Sequence, residues 1–404
     1  MVSYCARKHR CGVLWVSALI IAVIACWNAG PSWADVKIQP VLELEAGHTD
    51  NYYRTKENKE KAWIYRVSPG INFAYNTEAT TLTVDYLLNF FWYRNDGGGD
   101  ERSVSDDDYI GHDFLFNFAH RIGERTTIGL QDQYFLTREP AYADTFFIPV
   151  DRARYWRNRI EPFISYDLIE RGTVKLAYRH ENLRWIDDQP GYDDSDENRG
   201  IINLIYKLSG TQQLDLEGQY YKRDYDGDQS DYTSSEVQLF YRHEFNEYLK
   251  GYVGAGYQTR EFDQAGLDDI DNPVFSANLN ARTDITSLDA TLRHGLVDYT
   301  VEDQYYEATR FDLDFWRLLG DSFTIGLGGY YQHSDFNESD REDDWYSAYG
   351  FVGYRFWQDQ CELRLRYRWT NRDSNEDIFD YTENEFFLTL FTLFNLGGEG
   401  QAKE

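Results

Sequence analysis

A period of two residues runs through this chain and limits its possible folds more than any other feature. In CELRLRYRWTNR, Cys361, Leu363, Leu365, Tyr367 and Trp369 share one parity, while Glu362, Arg364, Arg366, Arg368 and Arg372 share the other with Thr370. A strand sends successive side chains to opposite faces, so the segment has an apolar face and a charged face. On a helix the arginines would spread around most of the circumference. The same alternation recurs along nearly all 404 residues, with no linker or shift in composition. It predicts a wall with oil on one side and water on the other: an all-β, transmembrane, antiparallel up-and-down barrel of about eighteen strands.

Composition agrees where it bears on that reading. Thirty-three tyrosines and 17% aromatic residues suit strands. The mean hydropathy is negative, which excludes a bundle of long apolar membrane helices. The formal charge of -29 argues against nucleic acid, which needs a basic footprint.

The N-terminus reads as a secretory signal peptide over residues 1–34. Arg7, Lys8 and Arg10 precede the apolar run Val13–Cys26, and Ser32-Trp33-Ala34 is a small-x-small site. Val23-Ile24-Ala25-Cys26 also has the form of a lipobox, so lipidation at Cys26 stays open. The barrel then occupies 35–396, and 397–404 is a polar periplasmic tail. Cys361 is the one cysteine left after residue 34 and forms no internal disulfide; on the apolar parity it reads as a small hydrophobe.

Along the chain, short turns such as Asn76–Glu78, Ile122–Glu124 and Leu319–Asp321 alternate with longer, mostly Asp-rich stretches such as Asp96–Asp108, Asp187–Asn198 and Ser334–Asp344. Short turns at one end and long loops at the other belong to an outer-membrane barrel, with the short turns periplasmic. Trp63, Trp92, Trp156, Trp185, Trp345 and Trp369 lie where strands meet long loops, as an aromatic girdle would. Trp185 and Trp345 fall on the inward parity, so these two line the mouth instead. Asp132 breaks the pattern and lands on the lipid face unless a bulge shifts the register.

The opening PVLELEAGHTDNYYR, followed by RVSPGINFAYNTEATTLTVDYLLNFFWYRND, resembles the start of the putative β-barrel porin 2 family. Thr49-Asp50-Asn51, Ser68-Pro69-Gly70 and the alternating strand after them carry the resemblance. It is specific over roughly the first hundred residues and general beyond them. It implies an outer-membrane channel of Gram-negative bacteria, often encoded beside exopolysaccharide biosynthesis genes, and brings no catalytic motif. Export of an exopolysaccharide with periplasmic export machinery is the first function it implies. A general or solute-selective diffusion porin, a structural or adhesive barrel, and an outer-membrane hydrolase are the alternatives.

Eighteen strands leave a water-filled lumen, so inward residues decide what passes. Arg157, Arg159, Lys175 and Arg179 cluster on the sixth and seventh strands, and Arg355, Arg364, Arg366 and Arg368 on the sixteenth and seventeenth. As open rings they would favour anions, including an anionic sugar chain. As a wall lattice they would pair with Glu161, Glu362, Asp312 and similar acids. In the loop Pro140–Arg152, Phe146, Phe147, Ile148 and Val150 are apolar among acidic loops, which suits either a constriction folded into the lumen or packing on neighbouring loops.

Other chemistry is weakly supported. Asp224, Asp226 and Asp228 begin a calcium-loop spacing, but Gln229 and Ser235 stand at its sixth and twelfth positions. Loose divalent bridging to lipopolysaccharide phosphates or plain solvation fits them better. No histidine sits in a nucleophile motif, although His48 and His333 lie beside acids near outer strand ends. The residues therefore point to no enzyme, no metal site and no cofactor.

Overall fold

The computed structural model describes residues 35–97, 104–138, 152–187, 193–264, 267–298, 305–336 and 339–394. The expected signal peptide 1–34, the expected tail 397–404 and the apolar loop residues Phe146, Phe147, Ile148 and Val150 lie outside them.

Eighteen strands form one sheet. In the first half they are β1 (Asp35–Thr49), β2 (Ala62–Asn76), β3 (Thr80–Asn95), β4 (Tyr109–Ile122), β5 (Thr126–Thr137), β6 (Tyr155–Ile169), β7 (Gly172–Trp185), β8 (Ser195–Lys207) and β9 (Gln212–Tyr225). In the second half they are β10 (Tyr232–Glu244), β11 (Leu249–Phe262), β12 (Ile270–Arg282), β13 (Thr286–Asp298), β14 (Tyr305–Leu319), β15 (Phe323–Phe336), β16 (Glu342–Phe356), β17 (Cys361–Ser374) and β18 (Tyr381–Leu393). Each strand pairs antiparallel with its neighbours in sequence, and β18 pairs with β1, so the sheet closes on itself without an edge.

The two-residue period fixes which side is which. Leu363, Leu365 and Tyr367 on β17 are exposed on the same side as Tyr346, Val352 and Tyr354 on β16 and Phe386 and Leu388 on β18. In a closed barrel this exposed apolar side is the outer one, suited to lipid. Trp63 and Trp92 lie on it near the long-loop ends of β2 and β3. Trp185 and Trp345 are buried on the inner side, as their parity predicts, and Trp345 is only 1% exposed. Asp132 stays on the outer side. Its strand pairs without a shift through Phe116↔Asp132 and Asp132↔Ile160, and Asn158 donates to its carboxylate at 2.7 Å. The register irregularity falls instead at Asp167/Ile169, beside a short turn.

The motif residues of the first hundred positions lock the closure. Thr49 Oγ1 donates to Glu383 Oε1 at 2.8 Å. Asp50 accepts the Asn384 backbone N–H and its Nδ2, each at 2.7 Å. Asn51 Nδ2 donates to the Thr382 carbonyl at 3.0 Å and its Oδ1 accepts the Thr55 N–H at 3.0 Å. Three consecutive side chains of β1 and the turn after it thus bind three consecutive residues of β18. On β2, Ser68 Oγ donates to Asn89 Oδ1 at 2.6 Å. A Cβ on Gly70 would lie 2.3 Å from the Tyr86 carbonyl oxygen, so the close approach of β2 to β3 requires glycine.

Candidate functional site: the inner wall of the barrel

Inward positions follow from register. Arg157 and Arg159 on β6 pair with Leu183 and Glu181 on β7, and Arg179 pairs with Arg199 on β8. Arg355 pairs with Glu362, and Arg364, Arg366 and Arg368 face Thr389, Phe387 and Glu385 on β18. All eight basic residues singled out in the sequence, Lys175 among them, therefore sit on the inner parity, in two groups well apart around the wall.

Neither group stands as a bare positive surface. Arg159 Nε donates to Glu181 Oε2 at 2.7 Å, and Arg179 Nε to Glu161 Oε2 at 2.9 Å, with Lys175 3.8 Å from Glu161. Glu362 takes Arg364 at 2.7 Å and Arg355 at 3.5 Å, while Arg368 lies 3.8 Å from Glu385. Arg157 and Arg366 lie over the rings of Phe135 and Phe387, 4.7 and 5.0 Å from their centroids. Asp312 is engaged by Arg310 at 2.7 Å. The wall lattice, not the open ring, describes these residues.

Toward the long-loop end the lattice crosses between distant strands. Arg152, just before β6, donates to the Tyr52 carbonyl at 3.0 Å and lies 3.3 Å from Glu383 on β18. Arg54 holds the other oxygen of Glu383 at 2.9 Å. Across the wall, Arg223 on β9 reaches Glu181 at 3.1 Å, Glu197 at 2.8 Å and Asp298 at 3.3 Å, and Arg260 reaches Asp298 at 2.8 Å. Buried guanidiniums shared among several carboxylates hold a fixed geometry, because losing any partner strands a charge in low dielectric.

A second set of inward acids forms no ion pair among the described residues. Asn203 and Gln219 donate to Glu217 at 2.5 and 2.6 Å, and Asn280 and Asn278 to Asp289 at 2.8 and 3.1 Å. Gln238 donates to Glu236, and the Tyr349 hydroxyl to Asp314. Asp85 on β3 and Asp113 on β4 make no hydrogen bond or ion pair with any described residue. Inward cations without an acid gather at the short-turn ends, where Lys207, Lys250 and Arg282 are exposed. The alternation of Asp85 and Asp113 with aromatic residues placed them inward; nothing in it marked them as functional.

The histidines are elsewhere. His48 and His333 contact Asp96 and Asp344 at 2.9 and 3.0 Å, on the outer parity and away from the bore. Among the described residues, no group of three His, Cys, Asp or Glu side chains could hold a metal ion.

Several solved structures are similar to this chain over most of their length. Acinetobacter baumannii OccAB4 is 11% identical, with a TM-score of 0.49 over 90% of this chain and 99% of that one. Pseudomonas aeruginosa OccK2 is 13% identical, with a TM-score of 0.49 over 90% and 98%. Pseudomonas aeruginosa OpdK, solved with vanillate, is 12% identical, with a TM-score of 0.49 over 89% and 99%. No curated protein matches the chain. The family profile matches residues 217–393, not the first hundred where the resemblance is most specific to the eye; that stretch holds the hairpins from β9 to β18. Over residues 217–393 the chain matches the model of the putative beta-barrel porin 2 family, and its fold is a closed eighteen-stranded antiparallel β-barrel.

Proposed function

We propose that this barrel is a diffusion porin that passes small solutes across the outer membrane and favours cations over anions. One observation carries the reading. The basic clusters are neutralised by Glu161, Glu181, Glu362 and Glu385, whereas Asp85, Asp113, Glu217, Glu236, Asp289 and Asp314 form no ion pair with a described residue. Fixed acids in a pore raise the local concentration of cations. The strongly acidic chain, at -29 formal charge, adds a field of the same sign. Outer-membrane lipid and lipopolysaccharide face the apolar outer wall in this reading.

Small solutes fit these observations better than the polymer export implied by the resemblance. Arg152, just before β6, reaches Glu383 on β18, and Asp298 joins β13 to β9, so side chains crowd the bore near the long loops. The test is a reversal potential in a planar bilayer under a KCl gradient. The reading expects the sign of a cation-selective channel; an anion-selective potential would overturn it, and so would a folded barrel without conductance.

A further inference from the structure

One part of the inner wall is built unlike the rest. On β3, β4 and β5 the side chains of Asn89, Phe91, Asp113, Gln133 and Phe135 line a cavity of about 130 Å³. Register brings them together. Asp113 pairs with Phe135 on one side and Leu87 on the other, while Leu115 lies between Gln133 and Asp85. Asp85 is therefore a diagonal neighbour of Asp113 on the same face, within reach of a shared ligand.

The polar atoms here are available. Asp113 and the Gln133 amide make no hydrogen bond or ion pair with any described residue. Asn89 is only 6% exposed, and its Oδ1 accepts from Ser68, which leaves its Nδ2 without a described partner and beside the cavity. The nearby Arg66 acts on Asp113 across a distance but makes no ion pair with it, and is bonded to Glu43 at 2.8 Å and Glu45 at 3.4 Å. Glu43 and Asp85 add like charge beside Asp113.

The walls are two buried phenyl rings. Phe91 stacks on Tyr109 at 4.7 Å, and Phe135 meets Tyr155 edge-on at 5.9 Å, so both rings are held in place. Arg66 and Arg157 already lie 6.0 and 4.7 Å from the Phe91 and Phe135 centroids. A carboxylate without a counter-ion, two amides and two fixed rings suit a cation with a compact apolar body. An apolar cavity of about 150 Å³ takes one benzene ring, so the niche is matched to a solute with a single ring.

We propose that this niche on β3–β5 binds a small organic cation, a primary amine on a ring-sized apolar body, as that solute crosses the barrel. The ammonium sits at Asp113 and hydrogen-bonds to it and to Gln133, while the body lies between Phe91 and Phe135. The assignment rests on the diffusion-porin reading for its purpose but not for its detection. The test uses the full folded chain and three isosteric probes: benzylammonium, benzyl alcohol and benzoate. Equilibrium binding is measured in detergent micelles, and current block in a planar bilayer. Benzylammonium should bind and reduce the current at least tenfold more strongly than benzoate. Asp113→Asn should weaken it about tenfold and leave the heat-modified gel shift of the folded barrel unchanged. Gln133→Ala, a change at a site with no structural partner, should weaken it less. Equal binding of all three probes, or no loss in either variant, would overturn the niche. A barrel that conducts without binding benzylammonium overturns the niche alone; one that binds it without conducting overturns the porin reading alone.

Discussion

The closing seam and the niche on β3–β5 are both made of polar side chains on the inner wall, and they use them in opposite ways. At the seam Glu383 is fully buried and takes Thr49, Arg54 and Arg152 at once. At the niche Asp113 takes no described partner. The residue type is nearly the same, and so is the parity. What differs is what the neighbouring strands offer: guanidiniums and hydroxyls at the seam, amides and phenyl rings at the niche. A carboxylate whose bonds are all made inside the protein holds strands together; one whose bonds are unmade is left for a solute.

The largest effect should come from the seam. Glu383→Ala leaves Arg54 and Arg152 buried without their shared acid and should cost about 3–5 kcal/mol. Thermal unfolding, followed by the loss of the heat-modified gel shift, would measure it. A cost below that of an ordinary surface change would erase the contrast with Asp113. Asp50→Ala removes two charge-assisted bonds to Asn384 and should cost about 1–3 kcal/mol in the same assay.

Asp113→Asn should sharpen the comparison from the other side. It should change stability by less than about 0.5 kcal/mol, as a change away from paired groups does. The same variant should lower the cation preference of the reversal potential. Arg364→Gln should do the reverse, because it removes the nearer of the two guanidiniums on Glu362, at 2.7 Å against 3.5 Å for Arg355. A larger shift in that variant than in Asp113→Asn would mean that the lattice, and not the unpaired acids, sets selectivity.

The smallest effect belongs to the loop above the seam. Lys56 reaches Asp377 and Asp380 at 2.7 and 2.9 Å, and its ammonium is held above the ordinary lysine value by these hydrogen bonds. Burial pushes the Asp380 carboxyl up, but the Lys56 hydrogen bond and the Ser374 N–H outweigh it and hold it below the usual range. A depressed aspartate stabilises the fold above its unfolded pKa of about 3.9 and loses that contribution as pH falls through its folded value. Proteolytic nicking in the β1–β2 loop should therefore be flat from pH 5 to 8 and rise below about pH 4. Lys56→Ala should raise it slightly at neutral pH, since an exposed pair contributes little.

The fold was legible because its signal is local. The alternation of Cys361–Arg372 became β17 with the expected outer and inner sets, and the eight inward bases are where their parity puts them. Asp132 shows the limit. Its parity placed it outside, but the Asn158 that makes this tolerable sits 26 residues away on the next strand. The pairing of the arginines was equally hidden. Arg159 and Glu181, or Arg179 and Glu161, are separated by a turn, and only register decides that they meet. Asp113 looked like any other inward acid, since a missing partner leaves no trace in one strand's own residues.

By itself the amino-acid order determined the barrel, its inner and outer faces and the ends where loops are long. Those follow from a two-residue geometry that each strand obeys alone. The closed sheet decided the rest: that β18 meets β1 and puts Glu383 beside Thr49, that the basic clusters are neutralised, and that Asp113 is not. Hydrogen bonds and ion pairs act over a few ångströms, so which acid meets which base is set by neighbours in space, and those exist only once the strands are in register.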